Sequence, residues 1–258
     1  MPELLDPALI FLIPAAFLAG AVDAVVGGGG LIQIPALFAA YPAQAAATLF
    51  GTNKCASIVG TASAARRYLR QVRLPWATVL PAMLAAFACA FSGAMAVAWL
   101  PRAALRPLLF VLLLAALVHT LRRPDFGAAH QPRHSGRAGL LPALGLGGLI
   151  GFYDGFFGPG TGSFLIFLFV RQFGFDFLHA SASAKLVNVA TNLAALCYFV
   201  PHGHWLPAVA LAMALANGTG AQLGARLALR YGNVFVRRLF LLSVSLLLLR
   251  FAWDTLTA

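Results

Sequence analysis

The chain contains two lysines, Lys54 and Lys185, and both lie inside long apolar segments. Each follows an aspartate at the same remove: Asp154 stands 131 residues after Asp23, and Lys185 stands 131 residues after Lys54. Gly93 and Gly224, Arg106 and Arg237, and Leu109 and Phe240 keep that interval, while Leu74-Pro75 and Leu206-Pro207 stand 132 apart, which implies one inserted residue. The chain therefore reads as a tandem duplication, residues 1–124 and 138–258, joined by the polar, basic, Pro- and Gly-bearing linker 125–137. Asp and Lys cost about 2.5–3.5 kcal/mol each at the centre of a membrane helix, so keeping a pair in each repeat points to use.

Composition identifies the solvent. Hydrophobic residues make up 61% of the 258 and charged residues only 10%, with a mean hydropathy of +0.86. Soluble domains carry about 25% charged residues, so this is a polytopic membrane protein, all-α. The net charge of +11 would suggest nucleic acid in a soluble chain. Here the arginines sit in short clusters between apolar stretches, where they set topology, and no nucleic-acid partner is expected. Met1-Pro-Glu-Leu-Leu-Asp6 is acidic where a signal peptide is basic, so no cleaved leader is expected. Cys55, Cys89 and Cys197 lack metal-ligand spacing and read as small buried hydrophobes, without disulfide, metal or cofactor.

Six segments can span about 30 Å of hydrocarbon, roughly Ala45–Ala65, Trp76–Leu100, Ala103–Leu121, Leu178–Val200, Leu206–Leu229 and Val236–Phe251. Before each trio lies a stretch interrupted by glycine. Leu9–Val26 precedes Gly27 to Gly30 and Leu31–Ala40; Leu140–Phe157 precedes Gly158-Pro159-Gly160-Thr161-Gly162 and Ser163–Val170. These predict helical hairpins whose short second arms cover about half the membrane, re-entrant or broken, with two close full crossings as the alternative. If each hairpin returns to its own side, Arg66, Arg67, Arg70, Arg73, Arg122, Arg123, Arg133, Arg137, Arg171, Arg226, Arg230, Arg237 and Arg238 share one face. Only Arg102, Arg106 and Arg250 face the other, which makes the first face cytoplasmic and both termini periplasmic. Trp76, Trp99, Trp205 and Trp253 fall at segment ends, as an interfacial belt requires. Three crossings per repeat mean inverted topology, with a site at the midplane between repeats.

The candidate site follows from unpaired polar chemistry. A helix broken in the membrane leaves backbone N–H groups at a positive helix end, so the turns holding Gly28, Gly29, Gly160 and Thr161 can present them to an anion. Gly147/Gly151 and Gly220/Gly224 read instead as packing glycines. Lys54 follows Thr52 and Asn53 and precedes Ser57 and Thr61; Lys185 follows Ser183 and precedes Asn188 and Asn192. Spacings of three, four and seven put Ser57 and Thr61 on one helical face with Lys54, and Asn188 and Asn192 on one with Lys185. Two lysines, two helix ends and several amides would favour a small anion, with Asp23 and Asp154 tuning charge or carrying protons. The plainer alternative makes Asp23–Lys54 and Asp154–Lys185 structural ion pairs. Gln33 and Asn217 are weaker cavity candidates, His202 and His204 read as surface histidines, and Asp176 and Asp254 as solvated segment ends.

Gly20-Ala-Val-Asp23-Ala-Val-Val-Gly27-Gly28-Gly29-Gly30-Leu-Ile-Gln-Ile-Pro35, Gly51-Thr-Asn-Lys54, Gly151-Phe-Tyr-Asp154-Gly-Phe-Phe-Gly158-Pro-Gly160-Thr-Gly-Ser163 and Lys185-Leu-Val-Asn188 together resemble the TauE/SafE family. The resemblance spans essentially the full chain in order. It implies a bacterial inner-membrane protein that moves sulfite, sulfoacetate or other sulfonates, while the cargo itself stays open. The second repeat has Ala184 where the first has Asn53, so the site should be asymmetric.

Secondary transport of a small sulfur oxyanion is the leading expectation, since no Walker motif supplies an ATPase. An anion channel of the same architecture is the alternative, and it would need a continuous open pore. An intramembrane enzyme ranks last: beyond the Asp/Lys pairs there is no nucleophile–base set, and His119 has no obvious partner. The expected partners are a small anion and membrane lipid, with a homodimer left open.

Overall fold

Alanine-rich apolar segments without strand alternation leave the backbone one way to pair its own groups, and the computed structural model is helical throughout. It describes residues 6–97, 127–133 and 136–256. Among these are eight α-helices and no strand. They are α1 (Ala8–Val26), α2 (Gly30–Ala40), α3 (Ala46–Leu69), α4 (Trp76–Ala96), α5 (Leu140–Phe156), α6 (Thr161–Phe173), α7 (Phe177–Phe199) and α8 (Pro207–Leu256). The expected crossing Ala103–Leu121 lies outside the described residues.

Each glycine-rich stretch breaks a helix where the sequence places it. At Gly27 the backbone turns left-handed, with φ of 75°, and at Gly158 and Gly160 φ is 90° and 81°. The arms beyond are short: α2 has 11 residues and α6 has 13, about 16 and 20 Å, well under the membrane thickness. The last two expected crossings are two helices within Pro207–Leu256 that meet at a kink at Gly232, where φ is 67° and ψ −160°. A single glycine in a conformation closed to other residues does the work of the expected loop.

The two repeats interleave. Helix α1 packs along α8, and its counterpart α5 packs along α4, so each hairpin rests on the other repeat. The contacts match residue for residue. A Cβ on Gly93 would lie 2.2 Å from the carbonyl oxygen of Phe152, and one on Gly224 would lie 2.1 Å from that of Ala21. Gly93 and Gly224 are 131 apart, as are Ala21 and Phe152, so the two contacts are related by exchange of the repeats. Gly147 and Gly151 abut Ala82 and Ala86, and Gly220 abuts Phe17, the close helix approach expected of those glycines.

Outward faces are apolar. Ile10 and Leu141 are about four-fifths exposed, and Leu84, Leu149, Leu211 and Leu215 also point away from the bundle. Contiguous apolar surface of this kind is stable against lipid. Trp76 opens α4 and Trp205 lies two residues before α8, at helix ends as expected. The cysteines differ from expectation: Cys55 and Cys89 are half-buried and Cys197 is exposed. Asp176 is another correction. It is buried, and as the N-cap of α7 its carboxylate accepts from the His179 N–H at 2.7 Å, an energetically better place than solvent for a short acidic side chain. His202 is exposed, and its Nδ1 lies 2.7 Å from the Tyr198 carbonyl.

The linker is docked. Gln131 and Arg133 donate backbone N–H groups to Gly174 and Phe173, and Phe177 donates to Gly127. His130 stacks on His179 with ring centroids 3.9 Å apart. Burial and the neighbouring His179 lower the His130 pKa, against the opposing pull of Asp176.

Candidate functional site

The break after α1 strands the last carbonyls of that helix, and three hydroxyls from other helices answer them. Tyr68 of α3 donates to Ala24 at 3.0 Å, Ser181 of α7 to Val25 at 2.9 Å, and Ser163 of α6 to Val26 at 2.7 Å. All three side chains are buried. Each hydroxyl removes an orphan acceptor that hydrocarbon would leave unpaired. These residues were not among the sequence candidates: a hydroxyl in an apolar helix has no periodicity that distinguishes capping from packing. The second break closes on itself, with Thr161 Oγ1 donating to the Gly158 carbonyl at 2.7 Å and the Tyr153 hydroxyl to that of Pro159.

The two turns touch. A Cβ on Gly27 would fall 2.2 Å from the Gly162 carbonyl carbon, so backbone meets backbone there. This contact draws the ends of α1 and α5 together between the repeats. Asp23 and Asp154, one turn before each break, come within reach of helices belonging to the opposite half.

The ion pairs cross between repeats. Lys54 Nζ lies 2.7 Å from Asp154 Oδ2, and Lys185 Nζ lies 2.8 Å from Asp23 Oδ2. The within-repeat pairing Asp23–Lys54 and Asp154–Lys185 is thus corrected. The reason is packing: α1 and α5 each lie along the other repeat, which turns their carboxylates towards the lysine of α7 or α3 respectively. Burial is uneven. The side chains of Lys54 and Asp154 are 5% and 6% exposed, whereas Lys185 is fully buried and Asp23 is 18% exposed.

Asp23 does a second thing. Its Oδ1 accepts from the Gly29 N–H at 3.4 Å, at the start of α2. A protein carboxylate therefore sits at the helix end expected to attract an anion. On the other side, a Cβ on Gly158 would lie 3.2 Å from Asp154 Oδ1 and 3.3 Å from Lys54 Nζ, so glycine leaves this turn open to the ion pair.

Around the lysines, several buried polar atoms have no hydrogen-bond partner: Asn53 Oδ1, Ser183 Oγ and Asn188 Oδ1. Buried polar groups are nearly always paired, so these three atoms are unsatisfied polar chemistry on the two helices that carry the lysines. Turning either amide over puts its NH2 in the same place, so each of these side chains can offer a donor or an acceptor there. Thr52 is engaged elsewhere: its hydroxyl donates to Thr48 and accepts from the Leu206 N–H at 2.9 Å, anchoring the start of α8. Ser57 is half-buried and Asn192 buried on the lysine helices. Gly28 lies in the first turn with its Cβ position 3.5 Å from Val22. Gly160 caps α6. Gln33 and Asn217 hydrogen-bond one another across the repeats at 2.8 Å, and Gln33 Nε2 is left without a partner.

The family described as sulfite exporter TauE/SafE matches the chain over residues 12–251. A probable membrane transporter protein of a Sinorhizobium species, ORF9, is 37% identical over 98% of this chain and 96% of its own length. The probable membrane transporter protein YfcA of Escherichia coli K12 is 33% identical over 93% and 88% respectively. A probable membrane transporter protein of Haemophilus influenzae is 32% identical over 95% of both. No solved structure matches the chain.

Proposed function

Because the chain belongs to the sulfite exporter TauE/SafE family of membrane transporters, we propose that it carries sulfite or an organosulfonate across the bacterial inner membrane by secondary transport. The repeats are inverted in the membrane, both termini are periplasmic, and Lys54 and Lys185 receive the anion where the repeats meet.

One observation supports this most: each lysine is held by a carboxylate reaching across from the other repeat. A carboxylate is a small oxyanion, so the geometry that seats it can seat another. Two lysines and two aspartates sum to zero charge. Admitting a monoanion leaves one uncompensated negative charge in low dielectric, which is costly, and a proton taken up by Asp23 or Asp154 restores neutrality. That proton frees the lysine for the guest and couples the anion to the proton gradient. Asn53, Ser183 and Asn188 supply hydrogen bonds to the bound oxyanion, with Gly28, Gly29, Gly160, Thr161, Ser57 and Asn192 lining the approach.

The test is counterflow in proteoliposomes with sulfite, thiosulfate, sulfoacetate, sulfolactate, taurine and carboxylate analogues. Saturable exchange of a sulfur oxyanion should vanish in Lys54→Gln and Lys185→Gln, measured per folded molecule. Asp154→Asn should keep exchange and lose accumulation driven by a pH gradient. Preference for carboxylates over every sulfur anion, or undiminished flux in both lysine variants, would overturn the proposal.

A further inference from the structure

The last turn of α3 carries Arg66 and Arg67, and Arg70 caps its C-terminus. Two cavities meet there and share Arg66 and Arg70. The first, about 320 Å³, is otherwise lined by Ser63, Arg67, Gln71 and Gln222, and contains no acidic side chain. The second, about 390 Å³, is an apolar groove of Ala62, Ala65, Leu69, Leu186 and Val189 between α3 and α7.

The polar cavity is held in shape. Arg67 Nε donates to Gln222 Oε1 at 2.8 Å, Gln222 Nε2 donates to the Ser63 carbonyl at 3.2 Å, and Ser63 Oγ donates to the Gly60 carbonyl at 2.9 Å. Arg66 and Arg70 make no ion pair with any described residue. They are four residues apart on one helix face, where like charges repel. The carbonyl end of α3 contributes about half a negative charge against three positive ones. Topology alone accounts for arginines at a helix end, but not for a fixed polar cavity opening onto an apolar groove.

That pairing of cavities matches one chemistry, a phosphate joined to a hydrocarbon chain. Guanidinium groups bind phosphate oxygens in a fork, and basic clefts between membrane helices take anionic headgroups. A zwitterionic headgroup would bring its ammonium among three guanidiniums, which disfavours it. We propose that this junction binds an anionic phospholipid, its phosphate on Arg66, Arg67 and Arg70 and one acyl chain in the groove between α3 and α7. The site rests on the membrane setting alone and is independent of the transported substrate. Leu186 in the groove wall directly follows Lys185, so the lipid would lie behind the helix that carries one of the buried charges.

Thermal unfolding of the delipidated full chain in detergent, with phosphatidylglycerol or phosphatidylcholine of identical acyl chains, tests this. Phosphatidylglycerol should stabilise more. In Arg66→Gln/Arg70→Gln its apparent affinity should fall about fivefold per guanidinium, roughly 25-fold in all. Ala62→Phe, which fills the groove at an exposed position without touching charge, should also weaken it. Glycerol 3-phosphate or inorganic phosphate should not reproduce the effect. Equal stabilisation by both lipids overturns the site, as does a preference that survives the double arginine change. A full effect from soluble phosphate shows a free-oxyanion site instead. Should the double variant fail to purify, undiminished preference in Ala62→Phe alone refutes the bound chain.

Discussion

Replacing Lys54 by glutamine leaves Asp154 charged and alone, with its side chain 6% exposed. At 2.7 Å and an effective dielectric of about 20, the lost attraction is about 6 kcal/mol. Desolvating the two ions offsets most of that in the native protein, so the pair contributes little net stability. Removing one member is different, because the desolvation of the other is no longer compensated, at roughly 3–5 kcal/mol. Lys54→Gln should therefore lower the unfolding midpoint in lipid nanodiscs by roughly 6–20 °C at pH 7. Lys185→Gln should cost less, since Asp23 is 18% exposed and keeps its contact with Gly29. A double-mutant cycle then tests the crossing. Asp154→Asn should rescue Lys54→Gln by at least about 2 kcal/mol, whereas Asp23→Asn should add to it within about 0.5 kcal/mol. Coupling concentrated in Asp23→Asn/Lys54→Gln, or absent from both combinations, would refute the reasoning.

Gly27→Ala should abolish folded yield, because the new methyl meets the Gly162 backbone at 2.2 Å at a positive φ, while Gly145→Ala, with open space around it, should be neutral or slightly stabilising; size-exclusion profiles compare them. Thr52→Val removes the acceptor of the Leu206 N–H and should cost about 1–3 kcal/mol in thermal unfolding with no change in net charge. The docked linker should loosen in acid. The His130 pKa is lowered in the folded state, so below about pH 6.5 the unfolded chain binds more protons and stability falls with pH through that window. Asp176 opens a second window. Burial raises its pKa, but the hydrogen bonds from His179 outweigh that and lower it, so its contribution is present above pH 3.8 and lost below. Limited proteolysis around residue 130 at pH 7.5 and 5.5 should show faster cutting in acid, and a smaller difference in His130→Asn.

Sequence periodicity could reveal the duplication, the glycine breaks and the two Asp/Lys sets, because each leaves a local mark: an interval, a run, a charge in an apolar segment. Partner choice leaves no such mark. Asp23 precedes Lys54 by 31 residues, and proximity along the chain favours that pairing, yet the observed partners are 100 and 162 residues apart. What decides is that each hairpin lies on the opposite repeat, a property of packing between distant helices. The capping roles of Tyr68, Ser163 and Ser181 were hidden for a related reason, since the carbonyls they serve belong to another helix. Gly232 was hidden differently: Leu229 to Val236 reads as a polar connection, and one positive φ suffices to make it.

The exchanged ion pairs have a bearing on dissection of the molecule. Either half, expressed by itself, would bury two charges of opposite sign whose partners were left behind on the missing fragment. Two copies of the same half, however, could satisfy each other completely, lysine to aspartate in both directions. The single polypeptide thus has the ion-pairing pattern of a two-fold dimer, and fragments made by cutting the chain within residues 127–133 should stay associated through those pairs.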